Sequence, residues 1–227
     1  ARIIFLHLHV PMHNDEQSAS DAPISSEPVA VPIRKRPKPG ERRVQILQAL
    51  AAMLEQPGAE RVTTAALAAR LEVSEAALYR HFASKAQMFE GLIDFIEQSV
   101  FTLVNQIVER EAPGHEQAAR IVAMLVQFAE KNPGMTRVMV GDALVFENER
   151  LQSRMNQFFD KIEATLRQSF RDGAQIDGSA TPTLDAQVRA SALTAFVVGR
   201  LQRFARSGFR RAPSEHLDAS VALMLPN

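Results

Sequence analysis

Ser74, Glu75, Ala76, Tyr79 and Arg80 fall on one face of the short segment EAALYRHF, and together they offer a hydroxyl, a carboxylate, a methyl, a phenol and a guanidinium. Such a set suits the edges of a DNA groove. Arg80 can take a guanine edge or a phosphate, and Ala76 can touch a thymine methyl. Tyr79 and His81 can donate to phosphate oxygens, and Lys85 follows where the next periodic segment starts. Thr63 and Thr64 open the preceding segment, where a hydroxyl side chain can cap a helix N-terminus. The difficulty is charge. From Val62 to Phe89 the chain carries Arg70, Arg80 and Lys85 against Glu72 and Glu75, little excess for binding a polyanion.

Three helices have to position these groups. Val44, Leu47, Ala51 and Leu54 recur at spacings of three and four and predict a first helix ending near Pro57 and Gly58. AALAARL and EAALYRHF, separated by Glu72, Val73 and Ser74, predict a helix-turn-helix. Ala68 is small where the two must approach, and Leu67, Leu71, Val73 and Leu78 supply the apolar wedge between them. Ser84 to Gln87 match an S-x-x-Q capping box, and the N-terminus it opens favours a phosphate through free N–H groups and the helix dipole. More charge comes from upstream. Arg34, Lys35, Arg36, Lys38, Arg42 and Arg43 stand against Glu41 alone, an arm expected to neutralise phosphates whatever their sequence.

The 227 residues are 46% hydrophobic, enough to bury a core, and the formal net charge is zero, so a nucleic-acid surface depends on charge distribution. There is no cysteine, which removes disulfides and thiolate zinc sites. No apolar run approaches the roughly 18 residues a membrane span needs. IIFLHLHV lacks the basic flank and cleavage site of a signal peptide, and with Met12 just behind it reads as an upstream extension of the frame or an expression remnant. Residues 14–33 hold four acids, no Lys or Arg, and several Pro and Ser, a composition expected to be disordered. The resulting partition is a disordered extension over 1–40 with the basic arm at 34–43, a DNA-binding domain over 41–87 and a larger helical domain over 88–227.

In that larger domain Phe89, Ile93, Ile96, Val100, Leu103, Val104 and Ile107 predict a helix from about Ser84 to Glu111. Further helices are expected over Glu116 to Asn132, over Met135 to Val145, and along Leu151, Met155, Phe158, Ile162 and Leu166. Thr183 to Ser207 is apolar around so wide an arc that it must be covered on more than one side. The fold class is all-α. Histidines at 7, 9, 13, 81, 115 and 216 are scattered, and no H-E-x-x-H, phosphate-binding glycine loop or G-x-S-x-G elbow occurs, so neither catalysis nor a metal or other cofactor is expected.

TTAALAARLEVSEAALYRHFASKAQMF resembles the DNA-binding domain of TetR-type bacterial regulators, including the Y-x-H-F-x-S-K run at Tyr79, His81, Phe82, Ser84 and Lys85. MFEGLIDFIE, EKNPGMTRVMVGDALVFENERLQSRMNQFF and IEATLRQ extend the likeness to the nucleoid occlusion branch of that family. The resemblance implies a cytoplasmic, nucleoid-associated homodimer on double-stranded DNA that captures the tubulin-like division protein FtsZ and blocks septation over the chromosome. It also implies dimerisation through the last two long helices, 183–207 and 214–225, with Phe196, Leu201 and Phe204 at the interface. FtsZ is expected to meet Phe95, which lies about 120° from the stripe led by Phe89, and Lys131 and Asn132. The commoner TetR-type role, a repressor released by a small ligand, is the alternative. Glu72 departs from the family's glycine at the turn, at a cost of about 1 kcal/mol if the backbone there takes a positive φ.

Overall fold

The computed structural model describes residues 40–56, 62–176 and 181–225, so the expectations for the extension, for the arm before Gly40 and for Pro57 and Gly58 lie outside the described residues. Among these, every regular element is helical. The order is α1 (Glu41–Leu54), α2 (Thr64–Arg70), α3 (Glu75–Tyr79), α4 (Lys85–Arg110), α5 (His115–Lys131), α6 (Pro133–Met139), a 3-10 turn at Asp142–Leu144, α7 (Glu149–Ile176), α8 (Pro182–Arg206) and α9 (Leu217–Met224).

The long helices form where the apolar stripes are. On α4 the buried side chains are Met88, Phe89, Leu92, Ile93, Ile96, Val100 and Val104, and on α7 Leu151, Met155, Phe158, Ile162, Leu166 and Phe170. Each such side chain, fully buried, stabilises the fold by roughly 2 kcal/mol. Tertiary burial therefore decides these helices more than propensity does. α7 and α8 pack antiparallel as the most extensive helix pair, tied near their connection by the Arg167–Gln187 hydrogen bond at 2.8 Å. Because α9 spans only 8 residues, the last two long helices are α7 and α8, not 183–207 with 214–225.

Two expected helices are cut short. α3 stops at Tyr79, and the chain then tightens into a turn, with the His81 N–H on Leu78 O at 2.9 Å and Phe82 driven inward to 1% exposure. The segment Met135 to Val145 divides at Gly141, whose φ of 84° suits glycine and ends α6 before the 3-10 turn. α4 runs unbroken from Lys85, so a boundary at 87 falls inside its first turn.

Ion pairs hold α7 against α4 within the larger domain, where Arg150 and Arg154 of α7 meet Glu90, Asp94 and Glu97 of α4. Arg154 lies 2.6 Å from Glu97 and 2.5 Å from Asp94, and the hydrogen bond to Glu97 is the main force holding its guanidinium above its ordinary pKa. Between the reading head and the larger domain, α6 presses on α1 at Gly134. Glu55, at the end of α1, borders this seam, and burial pushes its carboxyl pKa up from the ordinary 4.5, with Arg70 pulling the other way. A carboxyl with a raised folded pKa binds its proton more tightly in the folded state, so stability falls as pH rises from 4.5 through the folded value. Glu55→Gln is expected to remove that decline. Going from below pH 4.5 to neutrality, the urea midpoint should rise more, or fall less, in the variant than in the unmodified chain.

Candidate nucleic-acid interface

Three hydroxyl residues start the helices that build this surface. Thr63 caps α2 by accepting the Ala66 N–H at 3.2 Å, Ser74 caps α3 by accepting Ala77 N–H at 3.2 Å, and Ser84 caps α4 by accepting Gln87 N–H at 3.2 Å. Each is worth about 1 kcal/mol. The capping oxygen acts as acceptor, so each hydroxyl proton remains available to an approaching phosphate. The reciprocal bond of the box reaches Ala83, whose N–H lies 2.9 Å from Gln87 Oε1, rather than the N–H of Ser84 itself. Thr64 does something else. Its hydroxyl donates to Glu75 Oε2 at 2.6 Å, which holds the one carboxylate on the first turn of α3.

The turn between α2 and α3 closes through Glu72 N–H on Ala69 O at 3.1 Å and Val73 N–H on Ala68 O at 3.0 Å, a Schellman arrangement. It requires a left-handed residue, and Glu72 supplies it at φ 54°. The cost of a side chain there, about 1 kcal/mol, is therefore borne by this chain. Ala68 is 3% exposed, with Leu67 and Leu78 at 1%, so the wedge is packed as its spacing predicts.

Outward from this frame stand Ala76, Tyr79 at 44% exposure and Arg80. Two other cations of the head are engaged. Arg43, expected in the arm, belongs to the first turn of α1; its guanidinium lies 4.0 Å from the Phe82 ring centroid and donates to the His81 carbonyl. Lys85 Nζ lies 2.5 Å from Glu147 Oε1. Thr63, Thr64 and Lys85 come together, lining one crevice with Leu50, Val62, Leu67 and Met88. Neither the Phe82 perch of Arg43 nor the Glu147 partner of Lys85 has a local signal in the sequence, because both contacts join distant segments.

Several expected contact residues are placed differently. Phe95 is half-buried and packs against the core. Lys131 is exposed in the last turn of α5. Asn132 is 5% exposed and donates from Nδ2 to Phe128 O at 2.8 Å, so it is a buried joint between α5 and α6 and not a surface contact. Leu201 and Phe204 are 0% and 4% exposed within the single chain, and Phe204 meets the edge of Phe209 at 5.1 Å. They belong to the chain's own core, leaving nothing for a second subunit to cover. Phe196 is half-buried beneath the Arg200 guanidinium, 4.6 Å from its ring centroid. What α8 leaves outside is Leu184 at 65% and Val188 at 60%, in line with exposed Ala192 and Ala195, and with Gly199, where a Cβ would meet nothing within 4 Å. No helix among the described residues is long and apolar enough to cross a membrane.

A helix-turn-helix head joined to a larger all-helical domain is the architecture of the tetR-type fold. Residues 46–92 match the family described as bacterial regulatory proteins, tetR family, and residues 116–226 match the SlmA-like tetracyclin repressor-like C-terminal domain. The fold is shared with MbdR from Azoarcus sp. CIB (TM-score 0.67, 16% identity, 81% of this chain and 97% of that one). It is shared also with PfmR from Thermus thermophilus (TM-score 0.66, 20% identity, 80% and 97%). Sequence likeness is closer to nucleoid occlusion factor SlmA of Aliivibrio fischeri, 50% identical over 189 residues, 83% of this chain and 96% of that one. SlmA of Vibrio cholerae is 49% identical over 184 residues, 81% and 93%. The chain belongs to the SlmA family.

Proposed function

We propose that the chain is a nucleoid occlusion factor: a homodimer that binds specific chromosomal sites and, while bound, captures FtsZ and prevents ring assembly over the nucleoid. The observation that supports this most is the extent of the likeness, which runs through the C-terminal domain as well as the reading head and covers 83% of the chain. The α8 strip from Leu184 to Gly199 fits the dimer interface, since small and apolar residues on one line let two helices approach closely. Arg80, Tyr79 and Ala76 are the groups that read bases, and Thr63, Ser74 and the start of α4 take phosphates. Lys131 is the exposed residue offered to FtsZ.

The test is capture of purified FtsZ by the immobilised chain, with and without a duplex that it has selected from random sequence. Capture is expected only with DNA. Lys131→Glu is expected to lose most of that capture while DNA affinity changes less than about twofold, because a rim charge acts mainly on its own partner. Phe95→Ala is a poor probe, since it opens the core. Specific DNA binding with no FtsZ capture under any condition would favour the ligand-released repressor.

A further inference from the structure

Lys85 opens α4 at the end expected to meet a phosphate, yet its ammonium is held 2.5 Å from the Glu147 carboxylate. The pair is sheltered, with the Lys85 side chain 28% and the Glu147 side chain 10% exposed. A carboxylate left alone in such a place is costly. Glu147 is itself anchored, its N–H on Leu144 O at 3.0 Å, between the 3-10 turn and α7. The neighbouring pairs, Arg150 with Glu90 and Arg154 with Asp94 and Glu97, take their cation from α7 and their anions from α4. The Lys85 pair reverses that order at the end of α4 that faces DNA.

From this placement we infer that Glu147 is an internal competitor for the phosphate that Lys85 would bind, and so sets DNA affinity from within the C-terminal domain. The inference rests on the DNA-binding part of the proposed function. When a phosphate reaches the α4 N-terminus, Lys85 exchanges a carboxylate for it, and Glu147 loses its partner. The exchange opposes binding. It also loosens residues 145–148, where Val145 and Phe146 are 70% and 66% exposed, so that DNA occupancy is reported on the far side of the domain seam.

Four proteins separate this from simpler readings: the unmodified chain, Glu147→Gln, Lys85→Gln and the double variant, each titrated with a duplex selected from random sequence by the unmodified chain. Glu147→Gln is expected to bind about tenfold tighter, within the usual range of coupling between sites, although it loses an ion pair and melts slightly lower. The gain should vanish in the Lys85→Gln background. Amide exchange over residues 142–148 of the unmodified chain should quicken on DNA. An equal gain in both Lys85 backgrounds would reduce Glu147 to bulk repulsion, and no gain or a loss would make the pair purely structural; either overturns the inference. Failure of the unmodified chain to select any duplex would instead overturn the DNA-binding reading on which it stands.

Discussion

Leu201→Glu is expected to leave no folded C-terminal domain, whereas Val188→Glu, on the same helix, is expected to leave a folded monomer. Leu201 is 0% exposed inside the single chain, so a carboxylate there has neither water nor a partner. Burying an unpaired charge costs at least several kcal/mol, comparable with the roughly 5–15 kcal/mol that holds a domain together. Val188 is 60% exposed in the same frame, so the charge it would carry stays solvated until two subunits meet. Far-UV circular dichroism reports the first outcome and light scattering the second. A folded, dimeric Leu201→Glu protein would contradict the intrachain packing of α8, and a dimeric Val188→Glu protein would move the interface off the Leu184 to Gly199 strip.

Gly134→Ala should have the next largest effect. A Cβ at that position would sit 2.0 Å from the Ala51 carbonyl oxygen and 2.9 Å from its carbon. Both are backbone atoms of α1, so no rotamer change relieves the clash, and α6 must part from α1. Overpacking of this kind costs about 3 kcal/mol where the neighbour cannot yield. The consequence extends to DNA, because α1 also carries Arg43, whose guanidinium stacks on Phe82 and donates to the His81 carbonyl beside α3. A lower melting point with at least a severalfold loss of DNA affinity is the expected result, read by thermal melts and titration of the selected duplex. Unchanged stability would mean that the α1–α6 seam opens freely.

Much of the reading head is legible in the residues themselves. Thr63 and Ser84 cap the helices their positions predict, Ser74 adds a cap of the same kind, and Glu72 takes the positive φ that carries the strain. These features depend on groups a few residues apart, so local chemistry suffices to specify them. Long stripes such as Leu151, Met155, Phe158, Ile162 and Leu166 are equally plain, because a helix returns every third or fourth residue to one face.

Periodicity shows that a stripe exists but not what covers it. On α8, apolar around a wide arc, only packing against α7 separates the interior Leu201 and Phe204 from the exterior Leu184 and Val188. The same limit hides Phe95, half-buried against the core, and Asn132, sealed where α5 turns into α6. Charge behaves likewise. Composition allots Arg43 and Lys85 to a phosphate surface, but tertiary structure brings an aromatic ring to one and Glu147 to the other. A cation's partner is set by which distant segments the core brings within a few ångströms of it, and that proximity arises only when the helices pack.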